Sequence, residues 1–259
     1  MGYTLVYLSA MILIPIAGLF LKSFHISWHE FIRLITDPRA IAAYRLTTLA
    51  SLLSALINAV FGTLLAWILV RYEFFGKRFL DALVDFPFAL PTAVGGLTIA
   101  SLFSPHGWLG QFLVPLGIKG SYTPLAVVIA LTFVGLPFAV RTLQPVLETL
   151  EVDVEEVAAT LGSSRLRTFL QIIAPTLFPT ILTGFALSFA RAVGEYGSVA
   201  FVSGNYPYRT EIVPSLIVYQ LEQHNYEAAT AIAAVLMVVS FIILAGINWL
   251  ETWTRRFNQ

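Results

Sequence analysis

The sequence between residues 46 and 70 reads LTTLASLLSALINAVFGTLLAWILV, a run of 25 residues without a charged side chain. A helix needs roughly 20 apolar residues to cross the hydrocarbon core of a bilayer, so this run predicts a membrane-spanning helix. The whole chain has the same character: 58% of its residues are hydrophobic, 12% are charged, and its mean hydropathy is +0.80. Soluble domains carry roughly 25% charged residues. The composition therefore predicts an integral membrane protein.

Five further uncharged runs of similar length lie on either side of this one. The third run is broken by Pro105 and Gly107, so its span is placed before them. A transmembrane barrel would instead show alternating segments of roughly ten residues. We predict an all-α, polytopic membrane protein that forms a single transmembrane domain over residues 1–259. Its six predicted spans are approximately 1–22, 46–70, 86–104, 121–141, 168–200 and 228–250.

Several classes of function are disfavoured by what the chain lacks. It contains no cysteine, which removes disulfides, thiolate chemistry and cysteine metal sites. His25 and His29 lie four residues apart, but no third ligand accompanies them, so we predict no metal site. The formal net charge is zero, so no basic field would attract nucleic acid. We expect membrane lipid to surround the predicted spans.

The distribution of Lys and Arg predicts the orientation, because cytoplasmic loops are enriched in these residues. With a cytoplasmic N-terminus, eight lie on the inner side and six on the outer side, and Arg191 lies within a span. This bias predicts cytoplasmic N- and C-termini. The inner set is Arg71, Lys77, Arg78, Arg141, Arg165, Arg167, Arg255 and Arg256, and the outer set is Lys22, Arg33, Arg39, Arg45, Lys119 and Arg209.

Residues 148–175, ETLEVDVEEVAATLGSSRLRTFLQIIAP, are too charged for the membrane, with five acidic residues within nine positions. Val154, Val157, Ala158 and Leu161 recur at helical spacing and predict a short amphipathic helix. Gly162 would end this helix, and Ser163 or Ser164 would cap a second helix that runs to Ala174. The pattern predicts helix, turn, helix, and it leaves open a docking element or a plain connector.

The spacing within this segment resembles the cytoplasmic coupling loop of ATP-binding-cassette (ABC) import permeases. The family pattern is Glu-Ala-Ala, three residues, Gly, nine residues and Ile-x-Leu-Pro, and this chain departs from it at Val157 and Ala174. The resemblance implies that residues 148–175 contact a separate ATPase subunit. The residues that it assigns to this contact are Glu156, Val157, Ala158, Gly162, Ile172 and Pro175.

The chain carries no phosphate-binding loop of its own. Its one Gly-Lys pair, Gly76-Lys77, has Arg71 where the loop's first glycine should stand and Arg78 where its hydroxyl should stand. We therefore expect neither an enzyme nor a bound cofactor in this chain. By the resemblance, ATP and Mg are held by the partner ATPase.

Four further stretches are similar to permease subunits of sulfate/thiosulfate importers, within the sulfate/molybdate permease group. They read DFPFALPTAVGG (85–96), RAVGEYGSV (191–199), SVAFVSGN (198–205) and YEAATAIA (226–233). The resemblance implies a pair of ATPase subunits, a second homologous permease, an extracytoplasmic sulfate-binding protein and a bacterial-type inner membrane. Molybdate or tungstate is the alternative substrate. A secondary anion transporter is the alternative class, and it would leave residues 148–175 unexplained.

Arg191 and Glu195 lie one helical turn apart inside the fifth span, where charged groups are costly. They either neutralise each other or border an anion pathway, and both interpretations stay open. Gly194 and Gly197 beside them permit close helix packing or a local break in the helix. Pro91 in the third span poses the same choice, because a broken helix can expose N–H groups to an anion.

Overall fold

The computed structural model describes residues 2–150, 157–158 and 160–257. Within these residues the chain is helical and contains no strand, which confirms the predicted all-α, polytopic class. A 3-10 turn, Val114–Leu116, follows α7, and a π-helical turn, Phe169–Ile173, joins α9 to α10. The α-helices are α1 (Gly2–His25), α2 (Trp28–Ile35), α3 (Pro38–Arg71), α4 (Lys77–Val84), α5 (Phe86–Ala89), α6 (Thr92–Leu102), α7 (Gly110–Leu113), α8 (Pro124–Thr149), α9 (Arg165–Thr168), α10 (Ala174–Val193), α11 (Gly197–Ser203), α12 (Val213–Glu222) and α13 (Tyr226–Phe257).

Five helices of the described chain are long and apolar enough to cross a membrane: Gly2–His25, Pro38–Arg71, Pro124–Thr149, Leu166–Val193 and Tyr226–Thr254. They correspond to predicted spans one, two, four, five and six. The third predicted span, 86–104, is not one helix. It consists of α5 and α6, which are separated by extended backbone at Leu90 and Pro91. The number of six spans therefore stays a prediction, with a broken helix as its third member.

Helix α3 begins before the uncharged run that predicted it, whereas α8 begins at Pro124, just inside its predicted span, and both starts are capped. The side chain of Asp37 accepts a hydrogen bond from the Arg39 N–H at 2.8 Å, and Pro38 occupies the first turn of α3. Thr123 caps α8 in the same way, ahead of Pro124. A capping side chain and a proline in the first turn both favour helix initiation. Helix α3 thus extends beyond its apolar run and carries Arg39 and Arg45 in its first turns.

The centre of the molecule is a three-helix junction of α3, α8 and α10. Ala139 of α8 is fully buried there. A Cβ atom added to Gly62 of α3 would lie 2.7 Å from the Ala139 Cβ, and one added to Gly184 of α10 would lie 3.3 Å from the Ala139 Cα. These helices approach closely because neither glycine carries a side chain.

Large apolar side chains fill the space on either side of this junction. One cluster lies near the start of α8 and includes Val127, Leu131, Val199, Val202 and Ile212. The other lies near the end of α8 and includes Val84, Leu143, Leu147, Ile173 and Leu177. Helix α13 packs against α10 and α12, and α1 packs on α13 at the periphery. The bundle therefore has a packed interior at both ends.

Helices α6 and α11 pack against each other through two glycines. A Cβ atom added to Gly96 would lie 2.1 Å from the Ser198 carbonyl oxygen, and one added to Gly197 would lie 2.2 Å from the Thr92 Oγ1. Real Cβ atoms essentially never lie so close to another atom, so the Ser198 backbone or the Thr92 side chain would have to shift if either glycine carried a side chain. Gly197 therefore lies in a close contact between helices, as one of its two interpretations predicted.

Gly96→Ala is expected to lower the free energy of unfolding by about 1–3 kcal/mol, because the new methyl group collides with backbone rather than with a movable side chain. Gly246→Ala in α13 is the matched control, since a Cβ atom there meets nothing within 4 Å. The control is expected to be neutral or stabilising by up to about 1 kcal/mol. Thermal unfolding of the purified proteins in detergent measures both, and equal melting temperatures would contradict the close contact.

Candidate functional site

The described part of the 148–175 segment contains the predicted glycine turn. Val157, Ala158 and Thr160 are helical, and the Leu161 N–H donates to the Val157 carbonyl at 3.1 Å. The Ser163 N–H donates to the Ala158 carbonyl at 3.0 Å, around Gly162 with φ +79°. This arrangement is a helix end closed by a left-handed glycine. Glu156 lies outside the described residues.

Ser164 caps the second helix of the segment. Its Oγ accepts a hydrogen bond from the Arg167 N–H at 3.3 Å, and its carbonyl accepts one from the Thr168 N–H at 2.9 Å. The predicted end of this helix before Pro175 is wrong. Helical structure runs from α9 through the π-helical turn into α10, where Pro175 occupies the first turn. Pro175 has no N–H to donate to the preceding turn, and the helical path passes it directly after the π-helical turn, so the segment continues into the fifth span.

Several apolar side chains of this segment are exposed. Val157 is 56% exposed and Leu161 82%, whereas Ala158 is buried. Beyond the glycine turn, Leu166, Leu170 and Ile172 are also exposed. Loops that face water rarely expose several apolar side chains unless another surface covers them. We call these five exposed residues the loop apolar face.

An ion-pair cluster that the sequence reasoning missed joins α4, α5 and α8. The Arg141 guanidinium donates to Asp81 Oδ1 at 2.6 Å and to both carboxylate oxygens of Asp85 at 2.5 and 2.8 Å. It also donates to the Gln144 side chain at 2.6 Å. Asp81 and Asp85 lie four residues apart, so they share one helical face, and this spacing was the available signal.

The Arg141 cluster keeps the Asp81 carboxyl ionised. Burial raises the pKa of the Asp81 carboxyl, but hydrogen bonds from Arg141 and Gln144, together with the positive charge of Arg141, outweigh burial and lower the pKa below its ordinary value. Asp81 is therefore negatively charged at neutral pH. The cluster holds the short helix α5 against α8, just before the break at Pro91.

The break at Pro91 leaves α5 and α6 as separate short helices. Leu90 has ψ 140° and Pro91 has ψ 129°, so both are extended. The Val94 N–H donates to the Pro91 carbonyl at 2.9 Å, so this carbonyl begins the hydrogen-bond ladder of α6. The helix is therefore broken in this region, as one of the two interpretations of Pro91 predicted. The role of Pro91 in an anion pathway stays a prediction.

Arg191 and Glu195 form a close ion pair at the end of α10, with Arg191 Nη1 2.5 Å from Glu195 Oε2. The other carboxylate oxygen accepts from the Ser198 N–H and the Ser198 hydroxyl, each at 2.9 Å. The Glu195 side chain is 3% exposed. Gly194 ends α10, and α11 begins at Gly197, so Glu195 ties two helices together across the break. The pathway role of Arg191 stays a prediction.

A second ion pair that the sequence reasoning missed lies at the end of the bundle opposite the Arg141 cluster. Arg39 donates two hydrogen bonds to the Glu211 carboxylate, at 2.7 and 2.8 Å, and its guanidinium lies 4.0 Å from the centre of the Tyr219 ring. Glu211 is 4% exposed in its side chain. The two residues are 172 positions apart in sequence. This pair fixes the start of α3 to the segment before α12.

No group of three or more His, Cys, Asp or Glu side chains that could hold a metal ion occurs within the residues described. The site features described above are the loop apolar face and three separate polar centres: the Arg141 cluster, the Arg191–Glu195 pair and the Arg39–Glu211 pair. The loop apolar face and the Arg141 cluster lie towards the end of α8. The Arg191–Glu195 pair lies at the end of α10, and the Arg39–Glu211 pair lies at the start of α3.

Residues 58–256 match the family of the binding-protein-dependent transport system inner membrane component. The chain is 49% identical over 254 residues to a probable sulfate transport system permease protein cysT from Nephroselmis olivacea, covering 98% of this chain and 89% of that protein. It is 45% identical over 252 residues to the sulfate transport system permease protein CysT from Salmonella typhimurium, and 44% identical over 252 residues to the one from Escherichia coli. Both alignments cover 97% of this chain and 91% of the relative.

Solved structures show the same fold. A bacterial ABC transporter that imports the acidic polysaccharide alginate superposes with a TM-score of 0.75 at 18% identity, covering 99% of this chain and 93% of that chain. The alginate ABC transporter in complex with a periplasmic protein bound to an alginate pentasaccharide gives 0.76 at 19% identity, covering 96% and 91%.

A double-mutant cycle tests whether Arg191 and Glu195 neutralise each other. Arg191→Gln is expected to cost about 3 kcal/mol, since it leaves the buried Glu195 carboxylate without its partner, and Glu195→Gln is expected to cost less, because the Arg191 side chain is 31% exposed. The double variant is expected to cost less than the sum by about 0.5–3 kcal/mol. Unfolding of the purified proteins in detergent gives these free energies.

The matched control for this cycle is the exposed pair of Arg33 and Glu30, which are 2.6 Å apart with Arg33 69% exposed. Exposed helical pairs couple by only about 0.3–0.5 kcal/mol. A coupling at Arg191 and Glu195 no larger than that of the control pair would contradict mutual neutralisation.

Proposed function

This chain belongs to the family of binding-protein-dependent transport system inner membrane components, and on that premise we propose that it is the permease subunit of an ABC importer that carries sulfate and thiosulfate into the cell. The observation that carries this proposal is the similarity to sulfate permeases over nearly the whole length of the chain. As a permease subunit it is a membrane component of a transporter and not an enzyme.

ATP hydrolysis is assigned to a partner, since the sequence has no phosphate-binding loop. A pair of ATPase subunits would bind at residues 148–175, one on this chain and one on a second permease. The loop apolar face supports this assignment, because it offers exposed apolar side chains around a rigid glycine turn. Val157, Ala158 and Gly162 fall in the described part of that contact, together with Ile172 and Pro175.

A second, homologous permease is proposed to cover the outward face of α3. The small residues of this helix face the interior of the bundle and its large apolar residues are exposed, although the helix is central to the fold. Leu49, Leu53, Leu56 and Val60 are exposed at helical spacing. A heterodimer places two such faces together, and the anion path runs between them.

The membrane is proposed to be a bacterial-type inner membrane, with both termini and residues 148–175 on the cytoplasmic side. An extracytoplasmic sulfate-binding protein would then deliver the anion at the other end, where α3 and α8 begin. The charge distribution supports this orientation, since eight Lys and Arg residues fall on the proposed inner side and six on the outer side.

Uptake of radiolabelled sulfate by the complete importer, reconstituted in vesicles, tests the proposed substrate. Uptake is expected to require ATP on the ATPase side and the binding protein on the other, and unlabelled thiosulfate should compete. Labelled molybdate should enter far more slowly. Faster molybdate uptake would reassign the substrate, and sulfate uptake driven by an ion gradient without ATP would contradict the importer.

Gly162→Asp is expected to reduce association with the ATPase subunits by about tenfold or more, because it places a charged side chain in a left-handed turn at the contact. Gly117→Asp is the matched control. It also has φ +79° and open space around its Cβ position, but it lies on the proposed outer side. Co-purification from detergent measures association. Equal retention of the ATPase by both variants would rule out the coupling role of residues 148–175.

A further inference from the structure

A cavity of about 750 Å³ opens between the first turns of α3 and α8. Its polar lining consists of Arg45 from α3 together with Tyr208 and Arg209 from the segment between α11 and α12. No acidic residue lines it among those that the structure describes. The remaining walls are apolar and include Ile41, Leu49, Leu53, Leu125 and Val128.

The two arginines of this cavity differ from the other arginines at the same end of the bundle. Arg33 pairs with Glu30 at 2.6 Å and Arg39 pairs with Glu211 at 2.7 Å. Arg45 and Arg209 are exposed and have no carboxylate partner in the part of the chain that the structure describes. Two positive charges therefore face one cavity without compensation.

The segment that carries Arg209 is fixed in place on both sides. Thr210 is buried, and its hydroxyl donates to the Ser203 carbonyl at 2.7 Å and accepts from the Tyr206 N–H at 3.0 Å. Glu211 is held by Arg39, as described above. Tyr208 adopts φ +63°, a conformation that costs a non-glycine residue about 1 kcal/mol or more and persists only where the surroundings enforce it. Arg209 thus projects from a preorganised loop.

The surroundings of the cavity favour an anion further. Both α3 and α8 begin at its edge, with Pro38 and Pro124, and helix N-termini carry partial positive charge. Asp37 caps α3, but it lines the neighbouring cavity and not this one. Apolar walls of low dielectric constant around such charges focus their field into the cavity.

We propose that Arg45 and Arg209 form the site that receives the substrate, a divalent tetrahedral oxyanion, as it leaves the binding protein. This inference rests on the proposed import of sulfate. Arg45 and Arg209, which have no described carboxylate partner, would then attract the anion. Arg191 would not, because its charge is matched by Glu195. The tyrosine hydroxyl of Tyr208 is a further donor at the same site.

The absence of cysteine from this chain permits a test of charge alone. Arg45→Cys and Arg209→Cys are made singly in the complete importer, with cysteines in the partner subunits replaced. Each variant is expected to take up labelled sulfate about tenfold more slowly or worse, since a charge-assisted contact to the anion is lost. Both arginines are exposed and unpaired, so assembly with the ATPase should not change.

Chemical modification then distinguishes charge from shape. A trimethylammonium-ethyl methanethiosulfonate attaches a positive group to the new cysteine and should restore much of the uptake. A sulfonatoethyl methanethiosulfonate attaches a negative group of similar size and should abolish it. Sulfate at high concentration should slow both modifications. Equal effects of the two reagents would overturn the proposal, as would normal uptake by the unmodified variants.

Arg33→Cys is the matched control, because Arg33 lies at the same end and its charge is matched by Glu30. It should transport normally before and after either reagent. Failure of the unmodified wild-type importer to take up sulfate would instead refute the proposed function. A defect in Arg45→Cys or Arg209→Cys that disappears in vesicles of pure phosphatidylcholine would assign the site to an anionic lipid headgroup and overturn the substrate role.

Discussion

The position of Ala139 between Gly62 and Gly184 is the constraint on which the rest of the bundle depends. Apolar side chains gain little by leaving lipid for protein, so helices in a membrane associate mainly through close packing. At this junction three long helices meet with almost no side chain between them. The inward face of α3 is accordingly built from small residues such as Ala55, Ala59 and Ala66. Its large apolar residues face outward, where lipid or another subunit must cover them.

Three arginines that pack against this frame each lie beside a counter-charge. Arg141 is held by Asp81 and Asp85, Arg191 by Glu195, and Arg39 by Glu211. Each pair also joins two elements that are separate in sequence or separated by a helix break. The ion pairs therefore hold neighbouring elements together at the points where the helices are interrupted. Charges that lack such partners stand out against this background.

The sequence predicted the helical class and most spans because an uncharged apolar run of more than about 20 residues is compatible with few structures besides a membrane-spanning helix. It predicted the turn at Gly162, because a glycine after a periodic apolar segment is a strong local signal. It placed the end of the second loop helix wrongly at Pro175, since proline in the first turn of a new helix looks like a stop signal in sequence. The partners of Arg39 and Arg141 could not be predicted, because these contacts join distant segments and depend on the packing of the whole bundle.

The unbroken helical path from Leu166 to Val193 gives the segment next to Gly162 a mechanical property. Its 28 residues span about 42 Å at 1.5 Å per residue, from the glycine turn to the break at Gly194. Within this segment, the π-helical turn at Phe169–Ile173 and the proline at Pro179 are the positions where the helix can bend, so the end near the glycine turn can change direction relative to the part that leads to Gly194.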